Sequence, residues 1–186
     1  MIKFYSHLKF TVLEIIIIIT LFGIVAAIFI PTLINSRERA RRTKNISNLK
    51  MISNALNMYA MDNNGFLPYA ANAQNSRSLF LLLPYTSNKV EVFYPPYIYD
   101  EKMSNDTFKE YVADPNTIIS SILEGGTDIE PGYAYSPVNN SDRALQIHII
   151  SSDYPLVSNF NETYSDDCFV LYADSSVKKL YGEPIE

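Results

Sequence analysis

The sequence predicts an α+β fold, in which a long N-terminal helix packs on a small antiparallel β-sheet head. Two observations predict it. Residues 10–34 form an apolar run whose only charged residue is Glu14, and apolar residues then recur every three or four positions as far as residue 62. Beyond residue 63, short alternating stretches are separated by Pro, Gly, Asn and Asp, which is typical of short strands and turns.

The charge of the 186-residue chain is unevenly divided, although its formal net value is only −5. Residues 1–50 hold eight Lys/Arg and two acidic residues, a net charge of +6. Residues 51–186 hold seven Lys/Arg and eighteen acidic residues, a net charge of −11. The acidic part has no extensive basic face, so nucleic acid is not an expected partner. The single cysteine, Cys168, excludes an intramolecular disulfide and a thiolate metal cage.

The apolar run at residues 10–34 is long enough to cross a membrane. As a helix it would extend about 37 Å, against a hydrocarbon layer about 30 Å thick. A cleaved secretory signal is an alternative, because Lys3 and Lys9 precede the run and residues 25–27 (Val-Ala-Ala) resemble a cleavage site. The run continues past Ala27 and carries a carboxylate, which favours a retained membrane segment.

Glu14 is the most informative residue of the sequence. A carboxylate inside an apolar helix costs roughly 2.5–3.5 kcal/mol on insertion scales, so one that is present usually meets a partner cation or a polar cavity. The alternative is that Glu14 has no partner, because it lies only four residues inside the run, near the head-group level, where the cost is smaller.

The N-terminal residues resemble a known signature. Residues 9–14 read Lys-Phe-Thr-Val-Leu-Glu and precede an isoleucine-rich run, which resembles the N-terminal motif of type IV pilins and type II secretion pseudopilins. Gly23 and Pro31 follow Phe10 by thirteen and twenty-one residues, where helices of that family are locally loosened in the filament. The resemblance covers roughly residues 9–68, about a third of the chain.

The resemblance implies a pilin-like organisation of the predicted fold. A short basic leader occupies residues 1–9, the membrane-spanning half of the helix residues 10–34, its amphipathic half residues 35–62, and a globular head residues 63–186. The implied function is that of a pseudopilin, a subunit that assembles through its helix into a type II secretion pseudopilus or a type IV pilus-like filament. Expected partners are the membrane, other pilin-like subunits and prepilin peptidase, with no cofactor and no small-molecule substrate.

The resemblance also implies an orientation. The subunit would cross the inner membrane once, with its N-terminus in the cytoplasm and its head in the periplasm or at the cell surface. The positive-inside rule alone favours the opposite orientation, because more basic residues follow the apolar run than precede it.

Processing is implied at the start of the apolar run. In the family, prepilin peptidase cuts before a phenylalanine and methylates the new amine, and a glutamate then pairs with the N-terminus of a neighbouring subunit. These roles fall on Phe10 and Glu14. Lys9 stands where the family has glycine, so a long charged side chain occupies a position that admits a small one. Cleavage therefore stays open, and an uncleaved chain would be a single-pass, membrane-anchored surface binding or adhesion module that does not polymerise.

The basic segment after the apolar run has several interpretations. Residues 37–44 hold five cations and one carboxylate, a net charge of +4. A solvated helix face, a contact with anionic lipid and a contact with another subunit all fit this pattern, and the first two are favoured.

The head is expected to be small, mixed and rich in tyrosine, proline and loops. Residues 169–173 and 177–181 predict a hairpin, whose pattern resembles a degenerate form of the C-terminal Asp-Gly-His motif of pilin-like proteins, with only Asp174 kept from its polar set. Strands are also predicted at 133–135 and 145–150, an extended piece at 91–94, and short helices at 78–83, 107–112 and 117–123.

The sequence offers no arrangement for catalysis. The two histidines, His7 and His148, lie in no recognisable motif, and there is no glycine-rich phosphate loop, so an enzyme is not expected. Asp166, Asp167 and Asp174 are weak calcium candidates, because their oxygens are suitable ligands but their spacing is unlike an EF-hand loop. A solvated acidic turn is the favoured interpretation of these three residues.

Overall fold

The computed structural model describes residues 11–70, 75–124, 129–136, 146, 151–158 and 168–180. The chain divides into two compact units, Met1–Ala40 and Arg41–Glu186. A long helix, α1 (Val12–Asp62), is followed by short helices and by an antiparallel sheet of four described strands. The predicted α+β, pilin-like architecture is therefore confirmed.

Helix α1 ends where glycine and asparagine make a left-handed turn. The Gly65 N–H donates a hydrogen bond to the Ala60 carbonyl at 2.7 Å, and the φ angles of Asn64 and Gly65 are 54° and 85°. Glycine enters this region at no steric cost, and asparagine at a small one. The Asn-Asn-Gly sequence after Asp62 therefore stops the helix, as the sequence predicts.

The second half of α1 packs on the head through one apolar stripe. Leu49, Ile52 and Leu56 are at most 1% exposed, and they recur at the helical spacing of three and four residues. They join a core that also contains Phe80 and Phe93, whose ring centroids lie 5.5 Å apart. Burial of this apolar area is the main stabilisation of the second unit.

Five short helical segments follow α1 in the described part of the chain. They are two 3₁₀ helices, Asn75–Thr86 and Val90–Phe93, and the α-helices α2 (Pro96–Lys102), α3 (Asp106–Ala113) and α4 (Pro115–Leu123). The helices predicted at 78–83, 107–112 and 117–123 are confirmed, whereas α2 was not predicted.

The extended conformation predicted for residues 91–94 is wrong for residues 91–93. Val90, Val92 and Phe93 are all buried, and this set cannot lie on one face of a strand, in which side chains alternate. A 3₁₀ turn brings the three side chains into the core, and the chain becomes extended only at Tyr94, with φ −131° and ψ 137°.

The sheet contains four described strands in the order β1-β2-β3-β4, with each neighbouring pair antiparallel. The strands are β1 (Ala134–Tyr135), β2 (Pro155–Ser158), β3 (Cys168–Tyr172) and β4 (Val177–Leu180). The predicted β3–β4 hairpin is confirmed over its described residues, and β2 was not predicted. The strand predicted at 145–150 lies outside the described residues except for Gln146, which forms an antiparallel bridge with Phe66.

Gly132 allows the chain before β1 to approach the second 3₁₀ helix closely. Its N–H donates to the Phe93 carbonyl at 2.9 Å. A Cβ at this position would lie 2.6 Å from Pro95 Cδ and 3.2 Å from Tyr94 Cα, so a larger residue would force the two segments apart. The segment before β1 is thereby held against the region that receives α1.

Candidate functional site

The first half of α1 is apolar and exposed on all sides. Its large hydrophobic residues from Val12 to Leu33 are 41–75% exposed. Among the described residues, α1 is the one helix long and apolar enough, by length and composition, to cross a membrane, and none of its most apolar window is buried. A contiguous exposed apolar surface of this kind marks an interaction site for a membrane or for another protein.

The hydroxyl groups within and just after the apolar run bond to the helix itself. Thr20 Oγ1 donates to the Ile17 carbonyl at 2.9 Å, and Thr32 Oγ1 donates to the Ile28 carbonyl at 3.1 Å. Ser36 Oγ donates to the Thr32 carbonyl at 2.8 Å. These bonds satisfy polar groups that would find no water in a bilayer, so the hydroxyls are compatible with an apolar environment.

Glu14 lies in the first turn of α1, where Thr11 caps the helix. The Glu14 N–H donates to the Thr11 carbonyl at 3.1 Å and to the Thr11 hydroxyl at 3.3 Å. A negative charge in the first turn interacts favourably with the helix dipole. Thr-x-x-Glu is also the spacing of a capping box. This spacing is the signal in the sequence for Thr11 as a helix cap, a role that the sequence analysis does not assign to it. Lys9 and Phe10 lie outside the described residues, so their processing stays a prediction.

Gly23 and Pro31 both lie inside the uninterrupted helix. A Cβ at Gly23 would meet nothing within 4 Å, so packing within the chain does not require glycine there. Pro31 has no N–H, so the Ala27 carbonyl receives no hydrogen bond from it. Loosening of the helix at these two positions in a filament stays a prediction.

A buried polar network joins α1 to the head. Asn48 is 1% exposed, and its Nδ2 donates to the Tyr94 carbonyl at 3.0 Å and to the Glu91 carbonyl at 3.3 Å. The Tyr133 hydroxyl donates to Asn45 Oδ1 at 2.5 Å. Burial raises the pKa of Tyr94 and Tyr133 far above the usual range of a phenol, so both hydroxyls stay protonated and able to donate.

Two ion pairs lie beside this network. Arg41 and Asp100 approach to 3.8 Å, and Lys44 and Glu91 to 3.4 Å. All four side chains are substantially exposed, so each pair contributes roughly 0.2–1 kcal/mol at most. Arg41 and Lys44 of the basic segment therefore face acidic residues of the head.

The calcium candidates are only partly described. Asp174 is exposed in the β3–β4 loop, and its Oδ1 accepts the Ser176 N–H at 2.8 Å. Hydrogen bonds from Ser176 hold the pKa of Asp174 below its usual value. Asp166, Asp167 and His148 lie outside the described residues. Within the described ranges, no group of three or more His, Cys, Asp or Glu could hold a metal ion.

A surface cleft of about 310 Å³ lies between α3 and the end of α2. Asn105 lies on its wall and uses Oδ1 to cap α3, accepting from Thr107 N at 2.9 Å and from Phe108 N at 3.3 Å. The lining contains neither a histidine nor a carboxylate. The six lining residues are Lys102, Asn105, Thr107, Phe108, Tyr111 and Ile129.

Sequence comparison relates part of the chain to known proteins. It is 37% identical over 62 residues to the type II secretion system core protein G of Pectobacterium carotovorum subsp. carotovorum, covering 33% of this chain and 40% of that protein. The protein of the same name from Aeromonas hydrophila is 39% identical over 57 residues, covering 31% of this chain and 40% of that protein. The one from Escherichia coli (strain K12) is 37% identical over 57 residues, covering 31% of this chain and 39% of that protein.

The extent of this similarity is limited. The chain spans about 40% of the length of these curated relatives. No family model matches the chain, and no solved structure is significantly similar to it. The similarity falls in the N-terminal part of the chain, and there it confirms the resemblance to the type II secretion pseudopilins that the motif at residues 9–14 predicts.

Proposed function

We propose that the chain is a pseudopilin subunit that is anchored in the inner membrane and assembles through α1 into a type II secretion pseudopilus or a type IV pilus-like filament. The observation that carries the proposal is the first half of α1, which is apolar on all sides, exposed, and holds Glu14 in its first turn. The similarity of the N-terminal part to type II secretion system core protein G supports it.

The proposed function is assembly and involves no catalysis. In the membrane, lipid covers the apolar half of α1; in a filament, the helices of neighbouring subunits would replace that lipid. The Glu14 carboxylate would then pair with the Phe10 amine of a neighbouring subunit and set the register between the two helices. A charge buried in this way requires a partner, because an unpaired buried charge is strongly destabilising.

The proposed assembly mechanism requires cleavage before Phe10. A free amine at Phe10 is needed for the proposed pairing with Glu14, so membrane-extracted protein should begin at an N-methylated Phe10. Intact-mass measurement and N-terminal sequencing would show this state directly. A chain that retains Met1 would contradict the assembly mechanism.

The Lys9→Gly variant is the control for this measurement, because it restores the small residue that the family has before the cut. If the wild-type chain retained its leader and Lys9→Gly lost it, Lys9 would be identified as the block. The unmodified protein would then be the single-pass, membrane-anchored binding module that does not polymerise.

We also propose that the N-terminus lies in the cytoplasm and the head in the periplasm or at the cell surface. Alkaline phosphatase fused after Glu186 should then be active, because the enzyme needs an exported, oxidising compartment to form its disulfides. The same enzyme fused before Met1 should be inactive. The reverse pattern would show that the basic segment after α1's apolar run determines the orientation, as the positive-inside rule alone predicts.

A further inference from the structure

We propose that Arg37 and Arg39 of α1 bind the phosphate groups of anionic lipids at the membrane surface, on the side where the apolar run ends. The proposal rests on the membrane anchoring in the proposed function. It does not depend on cleavage before Phe10, on filament assembly or on the orientation of the chain.

The positions of the two arginines along α1 place them at the head-group level. The exposed apolar residues from Val12 to Leu33 would extend about 33 Å as a helix, close to the hydrocarbon thickness of about 30 Å. Arg37 and Arg39 follow Leu33 by four and six residues, or about 6 and 9 Å. The head-group layer is about 5–8 Å thick, and long cationic side chains bend toward it.

The arginines are distributed around the helix. Successive residues of an α-helix are about 100° apart, so Arg37 and Arg39 lie about 200° apart around the axis. Arg42, which is also exposed, lies about 140° from Arg37. A single protein partner would contact one face of the helix, whereas lipid head groups surround a transmembrane helix on all sides. This distribution favours lipid over a single protein partner on one face of the helix.

Two cations farther along the basic segment pair with acidic residues of the head. Arg41 pairs with Asp100, and Lys44 pairs with Glu91. Lys44 follows Leu33 by eleven residues, beyond the reach of the head-group layer. The part of the segment farther from the apolar run thus contacts the acidic head.

The test uses the full-length protein in phosphatidylcholine bilayers that contain spin-labelled phosphatidylglycerol or spin-labelled phosphatidylcholine. Electron spin resonance gives the fraction of each labelled lipid that the protein immobilises. Phosphatidylglycerol should be preferred by about three- to tenfold, and high salt should reduce this preference, because each arginine near an anionic surface adds to the attraction.

A double variant and a matched control decide the outcome. Arg37→Gln with Arg39→Gln should reduce the preference at least about threefold. Lys50→Gln with Lys89→Gln removes the same charge from exposed positions far along the chain from the apolar run, and should leave the preference unchanged. An equal reduction in both double variants would overturn the proposal, because the effect would then reflect net charge alone.

The remaining outcomes separate this proposal from the proposed function. A wild-type protein that floats with the bilayers but shows no lipid preference would overturn the lipid proposal and leave the membrane anchoring intact. If the arginine variant then reduced cross-linking between subunits, a second copy would be the partner. A protein that does not float with the bilayers would overturn the anchoring and the lipid proposal together.

Discussion

Replacing Glu14 by alanine is expected to leave the subunit in the membrane and to remove it from the filament. Membrane insertion should persist, because loss of a carboxylate makes the apolar run more favourable in lipid. Incorporation should fall by about a hundredfold or more, because the amine of a neighbouring Phe10 would be buried without a partner, at a cost of about 3–5 kcal/mol. Alkaline extraction of membranes measures insertion, and cross-linking of sheared filaments measures incorporation.

Two further variants show which property of Glu14 matters. Glu14→Gln keeps the side-chain length and the capping-box pattern with Thr11 but removes the charge, so it should also fail to incorporate. Glu38→Ala removes a carboxylate from α1 outside the apolar run and should incorporate normally. Normal incorporation of Glu14→Gln would show that Glu14 acts by capping α1, and normal incorporation of Glu14→Ala would contradict both roles.

The elements that the sequence predicts correctly are those with strong local signals. The stripe at Leu49, Ile52 and Leu56 has helical spacing, and these residues are buried in α1. Asn105 stands directly before α3, and its side chain caps that helix. Alternation on both sides of a short polar loop predicts the β3–β4 hairpin, which the register of the two strands confirms.

The elements that the sequence does not predict depend on tertiary packing. The valines and phenylalanine of Val90–Phe93 have high strand propensity, but the core receives them in a 3₁₀ turn. Pro96 occupies the first turn of α2, although the two prolines at 95 and 96 read as the end of an extended segment. Pro155 begins β2, and proline within a short apolar run argues against a strand.

The candidate functional site likewise contains some residues that the sequence predicts and others that it does not. The motif with Glu14 is a local signal in the sequence, and the structure places that residue in the first turn of an exposed apolar helix. The burial of Asn45 and Asn48 was not predicted, because asparagine in a helix usually faces solvent. Asn45 and Asn48 lie on the same face of the helix as the buried Leu49 and Ile52, and this spacing is the signal in the sequence for their burial. Their partners are backbone carbonyls and a tyrosine distant in sequence, which no local pattern reveals.

Replacing Asn48 by alanine is expected to weaken the attachment of α1 to the head. The Glu91 carbonyl would keep the hydrogen bond that it accepts from the Tyr94 N–H, but the buried Tyr94 carbonyl would lose its bond from Asn48 Nδ2. A buried acceptor left without a donor costs about 1–3 kcal/mol. For a chain of this size, a loss of about 2 kcal/mol lowers the melting temperature by about 4–8 °C.

The matched control for this change is Asn54→Ala, which makes the same substitution at an exposed position of the same helix. Both variants gain a few tenths of a kcal/mol from the higher helix propensity of alanine, so their difference isolates the buried hydrogen bonds. Near-ultraviolet circular dichroism of the full chain in detergent would follow unfolding of the head. Equal melting temperatures would show that apolar burial alone holds α1 against the head. A selective loss in Asn48→Ala would show that the position of the head on the helix also depends on these polar contacts.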